Sequence, residues 1–250
     1  MILGYDEAGG GEVLLLVHGF PVDRRIWARQ LTGLSDIRRV VAPDLRGRGK
    51  SPAEVSGWTI DTYAEDLADT IGSLGVESVD LAGLSMGGYI AFALLRQHPE
   101  LVRSLILAST RAAPDAPEYK TGREMTAERA RKFGTGALAE SMIDKLLTPN
   151  ASSEVRERVL EMFEAIPGET SAADSLAMRD RADSTPMLSS ISIPTLVIEG
   201  AKEALLPAGS SKGMAEAIPG ARLATITDAG HFAPIENPEA VNEAIRSFLG

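Results

Sequence analysis

The sequence predicts an α/β architecture: a mostly parallel β-sheet flanked by helices, with a block of helices inserted before its last strands. Three observations carry this. Short runs rich in Val, Ile and Leu recur along the 250 residues, apolar at every position rather than at alternate ones, as strands covered on both faces read. Helix-length amphipathic segments separate the runs and would supply that cover. Between about 112 and 190 the alternation stops, and apolar residues return only at helical spacing.

Taken in order, the strands fall at Val13 to Val17, Arg39 to Ala42, Ser78 to Ala82, Leu101 to Ala108, Thr195 to Ile198 and Arg222 to Ile226. Each is a short apolar run bounded by turn-forming residues. In the interval without strands, Leu138, Met142 and Leu146, then Val155, Val159, Met162 and Ile166, recur at three- or four-residue steps, the period of one helix face. Pro149, Pro167 and Pro186 punctuate these helices. The expected organisation is a core of residues 1–111 and 190–250 with a helical cap insertion over 112–189.

Composition narrows the function classes. Asp and Glu outnumber Lys and Arg, 35 to 25, and the formal charge of −10 opposes phosphate backbones and anionic membranes, so neither nucleic acid nor membrane is an expected partner. The chain has no cysteine, which excludes disulfides, thiolate metal sites and a cysteine nucleophile. No leader-like or membrane-spanning apolar run is present, and a cytoplasmic protein is the expectation.

One stretch concentrates the chemistry. Gly83-Leu84-Ser85-Met86-Gly87 fits G-x-S-x-G between a predicted strand and a predicted helix. A serine on so sharp a turn has a strained backbone, and side chains two positions away would collide with it, hence the glycines. The turn lifts the hydroxyl clear and sets it at a helix N-terminus, where N–H groups favour negative charge. A helix-capping serine among packing glycines would look the same.

Two further segments match what a serine nucleophile needs. "LLLVHGFP" ends a strand in a loop whose Phe20 N–H, with that of Met86, could hold an oxyanion. His18 in that loop reads as structural, its ring bonded to loop backbone. Of the three histidines, His98 sits at a helix C-terminus, which accounts for it, and His231 remains as the candidate base. A loop histidine without a task is the alternative.

Together the segments "HGFP", "PDLRGRGKS", "GLSMGG", "GAKEALLP" and "GHFAPIENPE", in that order, resemble the α/β-hydrolase superfamily, in particular its bacterial serine hydrolases with a helical cap. "STRAAPDAPE" is similar to a segment of esterases related to the enol-lactonases. The resemblance implies a nucleophile at Ser85, a base at His231, oxyanion donors at Phe20 and Met86, no metal and no organic cofactor. It also implies an acid after the strand ending near Glu199, where the family commonly has Gly-x-x-Asp-x-x-x-Pro and this chain has Glu203 between Gly200 and Pro207. Asp115, after the preceding strand, is the alternative acid. Only about eleven residues precede Glu12, too few for the hairpin that usually opens the family's sheet, so one edge strand is expected to be missing and about seven to remain.

The implied activity is hydrolysis of small, fairly apolar esters, with the insertion roofing the pocket. Trp27, Phe232, Met125 and Met142 are candidate lining residues, each of which could equally be packing. Lactone opening, carbon–carbon bond hydrolysis and perhydrolysis are alternatives on the same residues. A weakly catalytic small-molecule receptor is the alternative of a different class.

Overall fold

The apolar runs become strands of one seven-stranded sheet in the computed structural model, which describes residues 1–250. In spatial order the strands are β1 (Tyr5–Ala8), β3 (Arg39–Pro43), β2 (Val13–Val17), β4 (Val79–Leu84), β5 (Val102–Ala108), β6 (Thr195–Gly200) and β7 (Arg222–Ile226). All neighbours are parallel except β1, which runs antiparallel along β3 with Tyr5 opposite Pro43. The mostly parallel sheet of about seven strands is therefore what forms. The short N-terminal stretch still contributes one edge strand.

Every residue of β2 and β4 is buried, as uniform apolarity requires of central strands. β7 departs from the reading as a buried strand: only Ile226 is buried and Leu223 is 40% exposed, because β7 is an edge and lacks cover on its outer side. On the sheet faces pack α1 (Ala28–Gly33), α2 (Ile60–Ser73), α3 (Met86–Gln97), α8 (Ser210–Ala217) and α10 (Pro238–Leu249). Thr59 caps α2 by a reciprocal bond pair with Thr62, and α3 is buried from Met86 through Leu95. A helix apolar on all sides belongs at the centre of a domain, and α3 carries the turn at Ser85.

Four helices lie between β5 and β6: α4 (Pro117–Phe133), α5 (Ala139–Leu146), α6 (Ser153–Ala165) and α7 (Gly168–Arg179). The spacings at Leu138 and Val155 anticipate α5 and α6. Nothing apolar announces the other two. Apart from Met178, α7 buries only small or polar groups, Thr170 to Ser175 and Ala177, without hydrophobic periodicity, and α4 buries only Ala127 and Ala130.

These helices share the apolar core of the sheet through Leu146, Val159 and Phe163, joined by Leu138 just before α5. Polar ties hold them there as well. Arg48 Nη2 meets Asp174 Oδ2 at 2.6 Å, Tyr63 donates to the other oxygen of Asp174, and Thr170 Oγ1 donates to the Gly47 carbonyl at 2.8 Å. Breaking a buried pair such as Arg48–Asp174 by removing one partner costs about 3–5 kcal/mol. No helix is long and apolar enough to cross a membrane.

Candidate active site

Parallel register brings distant segments to one edge of the sheet. Val17 pairs with Gly83, Leu84 with Ala108, Ala108 with Ile198 and Gly200 with Ile226, so the chain leaves β2, β4, β5, β6 and β7 on the same side. Ligand sites of α/β sheets sit at this carboxyl end. The loops here carry Phe20, Ser85, Glu203 and His231.

Ser85 adopts φ 53° and ψ −110°, a positive φ that costs a non-glycine residue about 1–3 kcal/mol. Neighbours hold it there. Its N–H donates to Ala108 O at 2.9 Å, and its carbonyl accepts from Gly88 N at 2.9 Å and Thr110 Oγ1 at 2.8 Å. The flanking glycines are required by contact: a Cβ on Gly83 would lie 2.4 Å from the Gly87 carbonyl oxygen, and one on Gly87 2.4 Å from that of Val17. Gly19 packs less tightly, a Cβ there lying 3.2 Å from Ser85 Cβ. The Phe20 N–H, just beyond, donates to no backbone acceptor. Met86 supplies the first N–H of α3, a position that a helix leaves without an internal partner.

His231 is fully buried, with Nδ1 2.8 Å from Glu203 Oε2. The other oxygen, Oε1, accepts from Leu205 N at 2.7 Å and Leu206 N at 3.2 Å. Burial alone would raise the Glu203 carboxyl; its bond to His231, the attraction to that ring and the two amides outweigh burial and hold it below its usual value. Glu203 is thus an ionised acceptor that fixes the proton of the imidazole on Nδ1. Nε2 is buried and has no hydrogen-bond partner, Ser85 Oγ included. In the neutral ring it is the acceptor at the sheet edge that carries Ser85.

The other sequence candidates fall elsewhere. His18 Nδ1 donates to Gly19 O at 2.8 Å and Nε2 accepts from Leu45 N at 3.0 Å, so the ring braces the loop as expected. Burial, reinforced by the charge of Arg48, pushes its pKa down to about 4. Asp115 makes no contact with His231. It is enclosed by three guanidiniums, pairing with Arg111, with Arg123 Nε at 2.9 Å and with Arg181 Nη1 at 3.0 Å. Burial would raise its carboxyl, but Arg123 and Arg181 hold it below the usual value. Both of its oxygens are engaged and Glu203 occupies Nδ1, so the alternative acid has no route to the imidazole.

Of the lining candidates, Met125 is 65% exposed on α4. Trp27 and Phe232 are buried members of the core, Phe232 with its ring centroid 5.6 Å from that of His231, and Met142 packs half-buried against the same core. A cavity of about 110 Å³ between α2, α3 and the end of α7 is bounded by Tyr89, Ala112, Ala177 and Arg181, but Ser85, His231 and Glu203 are not among its walls. No three His, Asp or Glu side chains gather as metal ligands do. Sequence reasoning missed Thr110, which grips the Ser85 carbonyl, and the three arginines around Asp115, because threonine and arginine at scattered positions carry no spacing signal.

A model of the alpha/beta hydrolase fold matches residues 12–238. The chain belongs to the α/β-hydrolase family. A solved thermophilic esterase from Thermogutta terrifontis, with malate bound, is 43% identical and superposes with a TM-score of 0.96 over 99% of this chain and 92% of that one. The enol-lactonase from Burkholderia xenovorans LB400 is 29% identical, with a TM-score of 0.90 over 99% and 96%. The α/β-hydrolase superfamily protein YisY of Bacillus subtilis is 29% identical across 97% of this chain and 93% of its own length.

Proposed function

We propose that this α/β-hydrolase is a serine esterase that cleaves small, fairly apolar carboxylic esters through an acyl-enzyme on Ser85. The carrying observation is the state of His231, with Nδ1 held by an ionised Glu203 and Nε2 buried without a partner. On substrate binding Ser85 Oγ closes the bond to Nε2, a contact often long in free enzymes. His231 takes the hydroxyl proton as the oxygen attacks the ester carbonyl. The oxyanion so formed is held by the N–H groups of Phe20 and Met86. His231 then passes the proton to the departing alcohol, and Glu203 steadies the imidazolium meanwhile. Water, deprotonated by the same nitrogen, releases the acid and restores Ser85. This chemistry requires no metal or organic cofactor.

The helices between β5 and β6 form the roof of the substrate pocket, tied down beside the sheet edge through Asp174 and Thr170. Similarity to the esterase at 43% identity favours esters over other acyl substrates. Similarity to the enol-lactonase supports lactones as a second substrate class. Steady-state hydrolysis of p-nitrophenyl acetate and butyrate, set beside a γ-lactone, tests the proposal. Turnover of the short esters is expected, reduced by roughly 10⁴-fold or more in Ser85→Ala. Tight ligand binding with no turnover would point to a receptor instead.

A further inference from the structure

Glu236, on α9 (Ala233–Glu236), takes part in none of the steps above, yet it holds the His231 loop. Its two oxygens accept from backbone N–H groups of different elements: Oε1 from Thr148 N at 2.7 Å and Oε2 from Gly230 N at 2.8 Å. Gly230 immediately precedes His231. Thr148 lies just past α5, in the inserted helices. A third bond joins the same two segments, from the N–H of Phe232, on the other side of His231, to Leu146 O at 3.0 Å. The residues on both sides of His231 are therefore fastened through their N–H groups to the end of α5, Gly230 by way of Glu236 and Phe232 directly.

Bonds from N–H to a carboxylate are about twice as strong as neutral ones, and one carboxylate reaching two donors also fixes their separation. The other face of the loop is tight as well: a Cβ on Gly200 would lie 2.1 Å from the Gly230 carbonyl oxygen. The loop can thus move neither toward β6 nor, while Glu236 bridges, away from the insertion.

We infer that Glu236 is a positioning residue for His231, clamping the histidine loop to the inserted helices so that the aim of Nε2 depends on how those helices are seated. Glu203 sets the ring through Nδ1, and Glu236 sets the backbone that carries the ring. The inference rests on the triad reading above. It goes further in coupling the roof to the base: a ligand that shifts the end of α5 shifts the proton acceptor.

The test compares Glu236→Gln and Glu236→Asp with wild type, counting competent serines by fluorophosphonate titration so that kcat is expressed per active site. Glutamine keeps the size but turns an NH₂ toward one of the two N–H donors. Aspartate keeps the charge and a better prospect of folding, but is one methylene too short to reach both. In each, kcat is expected to fall between about 10- and 100-fold, as a displacement near 1 Å would cause, with KM within about twofold of wild type. A kcat per titrated serine within about twofold of wild type in a folded variant, whatever its melting temperature, overturns the inference and leaves Glu236 a structural brace. Wild-type protein that takes up no fluorophosphonate overturns instead the triad reading on which the inference stands.

Discussion

Replacing Glu203 by glutamine changes one oxygen for an NH₂ at nearly constant volume, and the surroundings decide which way the amide turns. Oε1 serves two backbone donors, Leu205 N and Leu206 N, whereas Oε2 serves only His231 Nδ1. The glutamine oxygen therefore stays on the two amides and its NH₂ faces Nδ1. The imidazole must accept there and carry its own proton on Nε2, the nitrogen that should receive the serine proton. A triad locked in that tautomer loses roughly 10⁴-fold in kcat, about 5.5 kcal/mol of transition-state stabilisation. In the proposed mechanism Glu203 acts through His231 and not on the substrate, so KM should change by no more than a few-fold. Steady-state hydrolysis of p-nitrophenyl butyrate at neutral pH reads both constants. A Glu203→Gln enzyme within about tenfold of wild-type kcat would refute the assignment of the acid.

Asp115→Asn should do the reverse: it leaves three arginines facing a neutral amide and lowers stability by about 3–5 kcal/mol in urea unfolding, while the folded fraction keeps its kcat, and a selective loss of kcat would return Asp115 to the list of acids. The pKa of His18 is depressed from 6.5 to about 4 in the folded protein, so the unfolded chain binds more protons as pH falls between those values. That contribution is complete above the unfolded value and is lost as pH falls toward the folded one. From pH about 7 to about 4.5 it should remove about 2 kcal/mol before most carboxylates titrate. A flat urea-stability profile across that interval would show that the His18 ring is not buried in its neutral form.

How much of this could be read from residues alone follows from what each element depends on. Central strands were visible because burial on both faces demands unbroken Val, Ile and Leu, as in β2. β7 misled because an edge strand obeys a weaker rule, and α7 was invisible because, Met178 apart, it buries alanine, serine, threonine and aspartate. At the site, the pentad at Ser85 could be read because close contact leaves room only for glycine at 83 and 87. The partnership of Glu203 with His231, residues 28 apart in the chain, is set by parallel register and loop geometry, so spacing could nominate Glu203 but not choose it over Asp115. Met125 enters as a lining candidate through its place in the insertion and its flexible thioether, and its side chain is 65% exposed on α4.

The most direct test of the account is the site of covalent labelling. Intact-mass and peptide mass spectrometry after exposure to a fluorophosphonate should find one probe per chain, on the peptide containing Ser85, and none on Ser85→Ala. Equal labelling of Ser85→Ala, or a probe found on any other residue of the wild type, would contradict it.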